Sequence, residues 1–188
     1  MNQTIINLAK AFVGESQARN RYTFYAKIAK KEGYEEISAN FELTATQENE
    51  HAKWLMRLIN DLKENNEDLK IETEIPTTLG TTQENLKSAI AGENHEHSSM
   101  YPKFADTAEK ESLPEIANRL RSIAKAEANH EKRFKKFLSN LENNSVFKKD
   151  IEAEWQCRKC GYIHTSKEAI EKCPSCGHPQ AYFEAISK

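Results

Sequence analysis

The stretch Glu127-Ala128-Asn129-His130-Glu131-Lys132-Arg133-Phe134 decides how this chain is read. Leu120 and Ile123 stand upstream of it, and Phe134, Leu138 and Leu141 close it and follow it. Their three- and four-residue spacing draws the apolar stripe of an amphipathic helix. Glu127 and His130 fall on that stripe, one turn apart. Carrying ionisable groups into an apolar layer costs several kcal/mol per ion unless they are paired. Their placement therefore asks for a partner.

Working outward, the same pair recurs as Glu48-Asn49-Glu50-His51, between Ala45 and Leu55 of another helical stripe. Two further stripes carry acids without histidine: Glu15 among Leu8, Phe12 and Tyr22, and Glu93 with Glu96 between Ile90 and Phe104. The periodicity predicts long helices over about 4–31 and 35–63. A third opens at a Thr81/Glu84 capping box, with a kink at Pro102. A fourth opens at a Ser112/Glu115 capping box, with Pro114 in its first turn. Gly33 is placed to end the first helix, and the polar stretch 64–80 reads as one long connection. Short, long and short connections between four helices of about 40 Å make an antiparallel bundle with one crossover.

The inward acids then form a donor set. Basic side chains do not share the inward positions in numbers that could neutralise five carboxylates, whereas two divalent metals nearly can. One Glu from each of two helices plus a Glu-x-x-His from each of the others is the ligand kit of di-metal carboxylate bundles of the ferritin-like type. The kit is repeated: Glu15 to Glu48 spans 33 residues and Glu93 to Glu127 spans 34, so the halves match at an offset of 78 to 79. Glu96 breaks the repeat, because Ala18 stands at the matching place. Tyr22, seven residues after Glu15, and Tyr101, eight after Glu93, fall one or two turns from the ligands, as contacts of the site or as core tyrosines. His95 and His97 read as surface or flank positions.

After Leu141 the helical pattern stops. The chain of 188 residues divides into a bundle over 1–142, a polar linker over 143–153 and a tail over 154–188 too small to hold a core without a staple. All four cysteines lie in that tail, in Cys157-Arg158-Lys159-Cys160-Gly161 and Cys173-Pro174-Ser175-Cys176-Gly177. Two such knuckles make a tetrahedral thiolate site suited to zinc or to a single iron. Trp155, Tyr162 and Phe183 are candidates for a small aromatic core around it, and His178 for a contact near the metal. A formal charge of -2 without a basic block argues against a nucleic-acid binder. The absence of long apolar runs or a signal-like start points to a cytoplasmic protein off the membrane. No Gly-x-Gly-x-x-Gly fingerprint or P-loop is present, so direct nicotinamide binding is not expected.

At Gly14-Glu15-Ser16-Gln17-Ala18-Arg19-Asn20-Arg21-Tyr22, Glu48-Asn49-Glu50-His51-Ala52-Lys53, Gly92-Glu93-Asn94-His95-Glu96, Met100-Tyr101-Pro102, the stretch 127–134 and both knuckles, the sequence resembles the rubrerythrin family along essentially its whole length. The resemblance implies a mainly α, ferritin-like four-helix bundle followed by a rubredoxin-like domain. It implies three non-haem irons: two held by Glu15, Glu48, His51, Glu93, Glu96, Glu127 and His130, and one by Cys157, Cys160, Cys173 and Cys176. It further implies a peroxidase that reduces hydrogen peroxide to water, one iron passing from His51 toward Glu96, with Tyr22 and Tyr101 hydrogen-bonded to ligand carboxylates. Electrons would come from NAD(P)H through a separate reductase, often by way of rubredoxin, and the chain would form a homodimer. The rival expectations are a ferritin-like iron oxidase and a zinc-stabilised binding module.

Overall fold

The computed structural model describes residues 3–64 and 68–186. Residues 65–67 of the 64–80 connection, and the ends 1–2 and 187–188 of the two expected domains, lie outside the described residues. The bundle comprises α1 (Gln3–Lys31), α2 (Glu35–Leu62), α3 (Thr82–His95), a π turn (Glu96–Met100), α4 (Tyr101–Lys110) and α5 (Pro114–Glu142). The tail is a three-stranded antiparallel sheet of β1 (Lys148–Cys157), β2 (Ile163–Glu168) and β3 (Phe183–Ile186), in the order β2-β1-β3. No described helix is long and apolar enough to cross a membrane.

The helix ends show how local chemistry sets the fold. α1 stops in a Schellman motif: Gly33 takes φ +86°, its N–H reaches the Lys30 carbonyl, and Tyr34 N–H reaches Ala29. The Thr81/Glu84 capping box opens α3 as the sequence predicts. Ser112, in contrast, does not cap α5. It sits at φ +61° as the left-handed residue ending α4, with Ser112 N–H to Glu109 and Leu113 N–H to Ala108. Seventy-nine residues separate Gly33 from Ser112, so the turn between α4 and α5 copies the turn between α1 and α2 with serine in place of glycine. Asn144, at φ +51°, ends α5 in the same way.

The two hairpins also cap one another. The Glu111 carboxylate accepts from Gln3 N–H and Thr4 N–H, both at 2.9 Å, at the N-terminus of α1. Glu32, its counterpart in the repeat, accepts from Thr82 N–H at 3.1 Å at the N-terminus of α3. A carboxylate there satisfies orphan donors and opposes the positive end of the helix dipole.

The third expected helix is not simply kinked. Tyr101 N–H reaches five residues back to Glu96, closing the π turn. Seven residues are nearly two α turns, which aligns Tyr22 with Glu15, but eight in α geometry would swing Tyr101 about 80° off the face of Glu93. The wider turn takes up the extra residue, and Tyr101 points inward, fully buried. Pro102, which has no N–H to give the Ser98 carbonyl, follows directly.

Apolar side chains form two separate cores along the bundle. One gathers Leu8, Leu55, Tyr101, Ile116 and Leu120; the other gathers Tyr22, Tyr25, Phe41, Leu86 and Phe134. A layer of buried acids lies between them. In the tail, Trp155 and Phe183 are buried with Cys157 and Cys173, and Tyr162 packs at the edge. β1 begins at Lys148, so the later part of 143–153, expected as linker, is strand. Its side chains are mostly exposed there, which leaves no alternation of apolar residues to read. The tail meets its own bundle at the α1–α2 turn, where Tyr34 stacks on Phe147 with ring centroids 6.3 Å apart.

Candidate metal centres

In the layer between the two cores, Glu15 comes from α1, Glu48 and His51 from α2, Glu93 from α3, and Glu127 and His130 from α5. All four glutamates are fully buried. Their free donor atoms gather in two groups, Glu15–Glu48–His51–Glu127 and Glu48–Glu93–Glu127–His130. Glu48 and Glu127 belong to both and divide their oxygens between them. Glu48 places Oε2 3.0 Å from His51 Nδ1 and Oε1 2.9 Å from His130 Nδ1. Glu127 places Oε1 2.8 Å from His51 Nδ1 and Oε2 2.7 Å from His130 Nδ1. Glu15 and Glu93 stand at the two outer ends, 3.7 and 3.5 Å from His51 and His130. The spacing of the motifs does not tell which acids the two groups share.

The tyrosines cross between hairpins. Tyr22 of α1 donates to Glu93 Oε1 of α3 at 2.5 Å, and Tyr101 of α4 donates to Glu15 Oε1 of α1. Each leaves the second carboxylate oxygen facing the centre. Among the described residues, those oxygens, Glu15 Oε2 and Glu93 Oε2, make no hydrogen bond of good geometry; nor, close as they lie to one another or to His51, do Glu48 Oε1, both oxygens of Glu127 and His130 Nδ1. Buried polar atoms are almost always satisfied. Six orphans converging from four helices fit a metal pair.

The electrostatics of the bare side chains agree. Burial first, then the Glu48 charge, push the Glu15 carboxyl up to about 7. Burial, with Glu48 and Glu127 adding to it against the pull of His130, pushes Glu93 up to about 8. Burial works against charging His130, but its contacts with Glu127, Glu48 and Glu93 win and raise it to about 12; His51 is raised by Glu127, Glu15 and Glu48 in the same way. Without metal the site holds protons that a metal must displace.

Glu96, the unrepeated acid, joins neither group. It opens the π turn and leans toward α1, where a Cβ on Gly14 would lie 4.0 Å from its Oε1. Burial holds its carboxyl well above the usual range, and Glu15 is the strongest of the charges that add to this. Its carboxylate thus stands on the Glu15–His51 side, which is also the more open: the side chain of His51 is 16% exposed, that of His130 3%.

Two features escape the motif spacing. Arg133, three residues after His130, reaches Gln47 Oε1 at 2.7 Å and Thr44 Oγ1 at 3.1 Å, and lies in the field of Glu48, Glu93 and Glu127. It adds a positive charge beside the acidic layer. His97 is not a solvent position, since its Nε2 meets Glu131 Oε2 at 3.0 Å.

In the tail, Cys157 and Cys176 Sγ are 3.7 Å apart, and Cys160 and Cys173 Sγ 3.6 Å. A disulfide needs about 2.05 Å, whereas metal–sulfur bonds of about 2.3 Å in a tetrahedron put sulfurs about 3.8 Å apart. The thiolates fit a single tetrahedral metal. Gly161 (φ +78°) and Gly177 (φ +74°) turn each knuckle so that the next backbone N–H, of Tyr162 or His178, points at Cys160 or Cys176. The Tyr162 N–H is the main reason the Cys160 thiol falls to about 6.

Comparison with known proteins matches a rubrerythrin sequence profile to residues 7–138 and the rubredoxin-like domain of rubrerythrin to 155–184. A Methanocaldococcus jannaschii protein bearing the rubrerythrin name is 60% identical, covering 98% of this chain and 93% of its own. Rubrerythrin of Porphyromonas gingivalis is 52% identical, covering 98% and 90%. Among solved structures, a mixed-valence state of nigerythrin superposes with a TM-score of 0.66 at 31% identity, covering 97% of this chain and 86% of that one.

Proposed function

The chain belongs to the rubrerythrin family, and we propose that its reaction is the reduction of hydrogen peroxide to water, with electrons entering through the four-cysteine site. Both donor sets suit non-haem iron, two ions in the bundle and one in the tail. Bound in the bundle, ferrous ions supply the two electrons that cleavage of the O–O bond requires, one from each.

The observation that carries this reading is the one-sided seventh acid. His51 occupies the more open end of the site, and Glu96 stands near Gly14 on the Glu15 side without joining the donor group. The two are alternative donors for one position. An imidazole suits the reduced state and a carboxylate the harder oxidised one, so exchanging His51 for Glu96 follows the change in charge. Tyr22 and Tyr101 would hold Glu93 and Glu15 in place while Glu96 moves.

The tail of one chain docks at the start of α2, and His51 lies roughly 24 Å along that helix. A homodimer with its subunits head to tail would bring a partner's four-cysteine iron closer. The electron donor in this reading is a rubredoxin or an NAD(P)H-dependent reductase.

Rapid mixing of the anaerobically reduced, iron-loaded protein with hydrogen peroxide or with dioxygen tests the reaction. Oxidation should be faster with peroxide; faster oxidation by dioxygen would support an iron oxidase instead. Mixed dimers test the path. One subunit carries Cys157→Ser and Cys160→Ser, the other Glu93→Ala and Glu127→Ala. Activity in such dimers requires transfer between chains, and its absence would place the path within one chain.

A further inference from the structure

Glu131 is a carboxylate in the bundle that ligates in neither donor group, yet it is only 7% exposed. It follows His130 on α5 and accepts from three side chains: Lys135 Nζ at 2.7 Å, Asn94 Nδ2 at 3.0 Å and His97 Nε2 at 3.0 Å. Lys135 is its neighbour one helical turn on. The other two come from a different element and have one thing in common. Asn94 and His97 flank Glu96, one at the end of α3 and one inside the π turn.

A π turn is an extra residue wound into an α-helix, and nothing in the helical ladder itself says which turn must absorb it. Here the choice has consequences. If the extra residue were taken up between Glu93 and Glu96, Glu96 would rotate by about 100°, one α step, out of the acidic layer. Tyr101, beyond the insertion in either case, would keep its place. Downstream the slip is bounded by Pro102, which cannot supply the N–H that an α turn over Ser98 needs. Upstream, the fixed points are the two side chains bound by Glu131.

We infer that Glu131, through Asn94 and His97, pins the π turn at Glu96–Met100 and so sets where the Glu96 carboxylate stands. Glu131, Asn94 and His97 are positioning residues, acting on the metal site through the backbone of the π turn. The inference rests on the reading that Glu96 serves the metal site, but the pinning itself is measurable without it.

The experiment compares wild type with Glu131→Ala, His97→Ala and His97→Gln in the iron-loaded protein, by hydrogen exchange and by the optical and Mössbauer spectra of the oxidised bundle irons. Glu131→Ala and His97→Ala should raise exchange roughly tenfold in the peptide covering 95–101, leaving α1 and α2 at wild-type rates. Their oxidised spectra should shift toward that of Glu96→Ala. His97→Gln, which keeps a donor toward Glu131, should restore both. General loosening would instead raise exchange throughout the bundle, which would overturn the inference, as would wild-type exchange at 95–101 in His97→Ala. Should Glu131→Ala fail to fold, the His97 pair carries the test alone. If the Glu96→Ala spectrum equals that of wild type, the role of Glu96 as a ligand fails, while the exchange data still decide whether the turn is pinned.

Discussion

The α1–α2 hairpin and the hairpin of α3, α4 and α5 are near copies that differ at one place. Glu15 and Glu93 match at an offset of 78, while Tyr22 and Tyr101, Glu48 and Glu127, and His51 and His130 match at 79. The slip of one residue falls between Glu93 and Tyr101, where the structure has the π turn. At its head stands Glu96 opposite Ala18, and Ala18 is buried on a straight helix. Everything the repeat shares builds a symmetric donor set; the single insertion makes the two metal positions unequal. In the proposed reaction the symmetry would serve binding, and the departure from it would give one end a second donor to exchange.

Four measurements would break or sharpen this contrast. The largest effect is expected at the asymmetric residue. Glu96→Ala makes the second hairpin resemble the first, and peroxide turnover should fall about a hundredfold, about 2.7 kcal/mol of barrier, while two bundle irons still assemble. Unchanged turnover would leave the asymmetry without a function. Next come the crossed tyrosines, where the copies should behave alike. Tyr22→Phe and Tyr101→Phe each free one ligand oxygen, and each should weaken iron binding by roughly tenfold in a competition titration. A strong effect at one and none at the other would show that the hairpins are not equivalent around the metals.

The third concerns protons in the metal-free protein. Glu15 from one hairpin and Glu93 from the other rise from 4.5 to about 7 and about 8. The folded state therefore holds protons that the unfolded chain has released, and stability declines as pH rises from about 5 through 8. His130, raised from 6.5 to about 12, contributes fully below 6.5 and progressively less as pH climbs toward 12, the same direction. The melting temperature of metal-free protein should fall between pH 5 and 8, and that of iron-loaded protein, where metal replaces these protons, should not. The smallest effect is at the reciprocal caps. Glu111→Ala should lower the melting temperature by about 2–4 °C, and Glu32→Ala by less, because α3 keeps its own Thr81/Glu84 box.

The parts of this architecture legible in the sequence are those where chemistry repeats at helical spacing. Glu-x-x-His on an apolar stripe fixes both an element and a burial, so the helices and the acids of the layer can be read directly. Ser112 is misread because a serine before Pro114 satisfies the capping pattern, and only tertiary packing places it left-handed. The caps from Glu111 to Thr4 and from Glu32 to Thr82 join residues far apart in sequence, beyond any local rule. The change of offset from 78 to 79 does record the inserted residue, but Pro102 offers a simpler local explanation, a kink, and the π turn is hidden behind it. The neighbours of Arg133 and Glu131 depend on which helices pack together, which no single stripe encodes.

The reciprocal caps and crossed tyrosines have a modular consequence. Each partner in these caps and tyrosine contacts by which the second hairpin completes the first has a counterpart in the first: Glu32 for Glu111, Thr4 for Thr82, Tyr22 for Tyr101 and Glu15 for Glu93. Residues 3–62 are in this sense self-complementary. Two copies facing each other would cap one another's first helices, exchange their tyrosines and present Glu15, Glu48 and His51 twice over. Such a homodimeric half would bind a metal pair symmetrically. With Ala18 in place of the seventh acid at both ends, it would have no second donor to trade for a histidine.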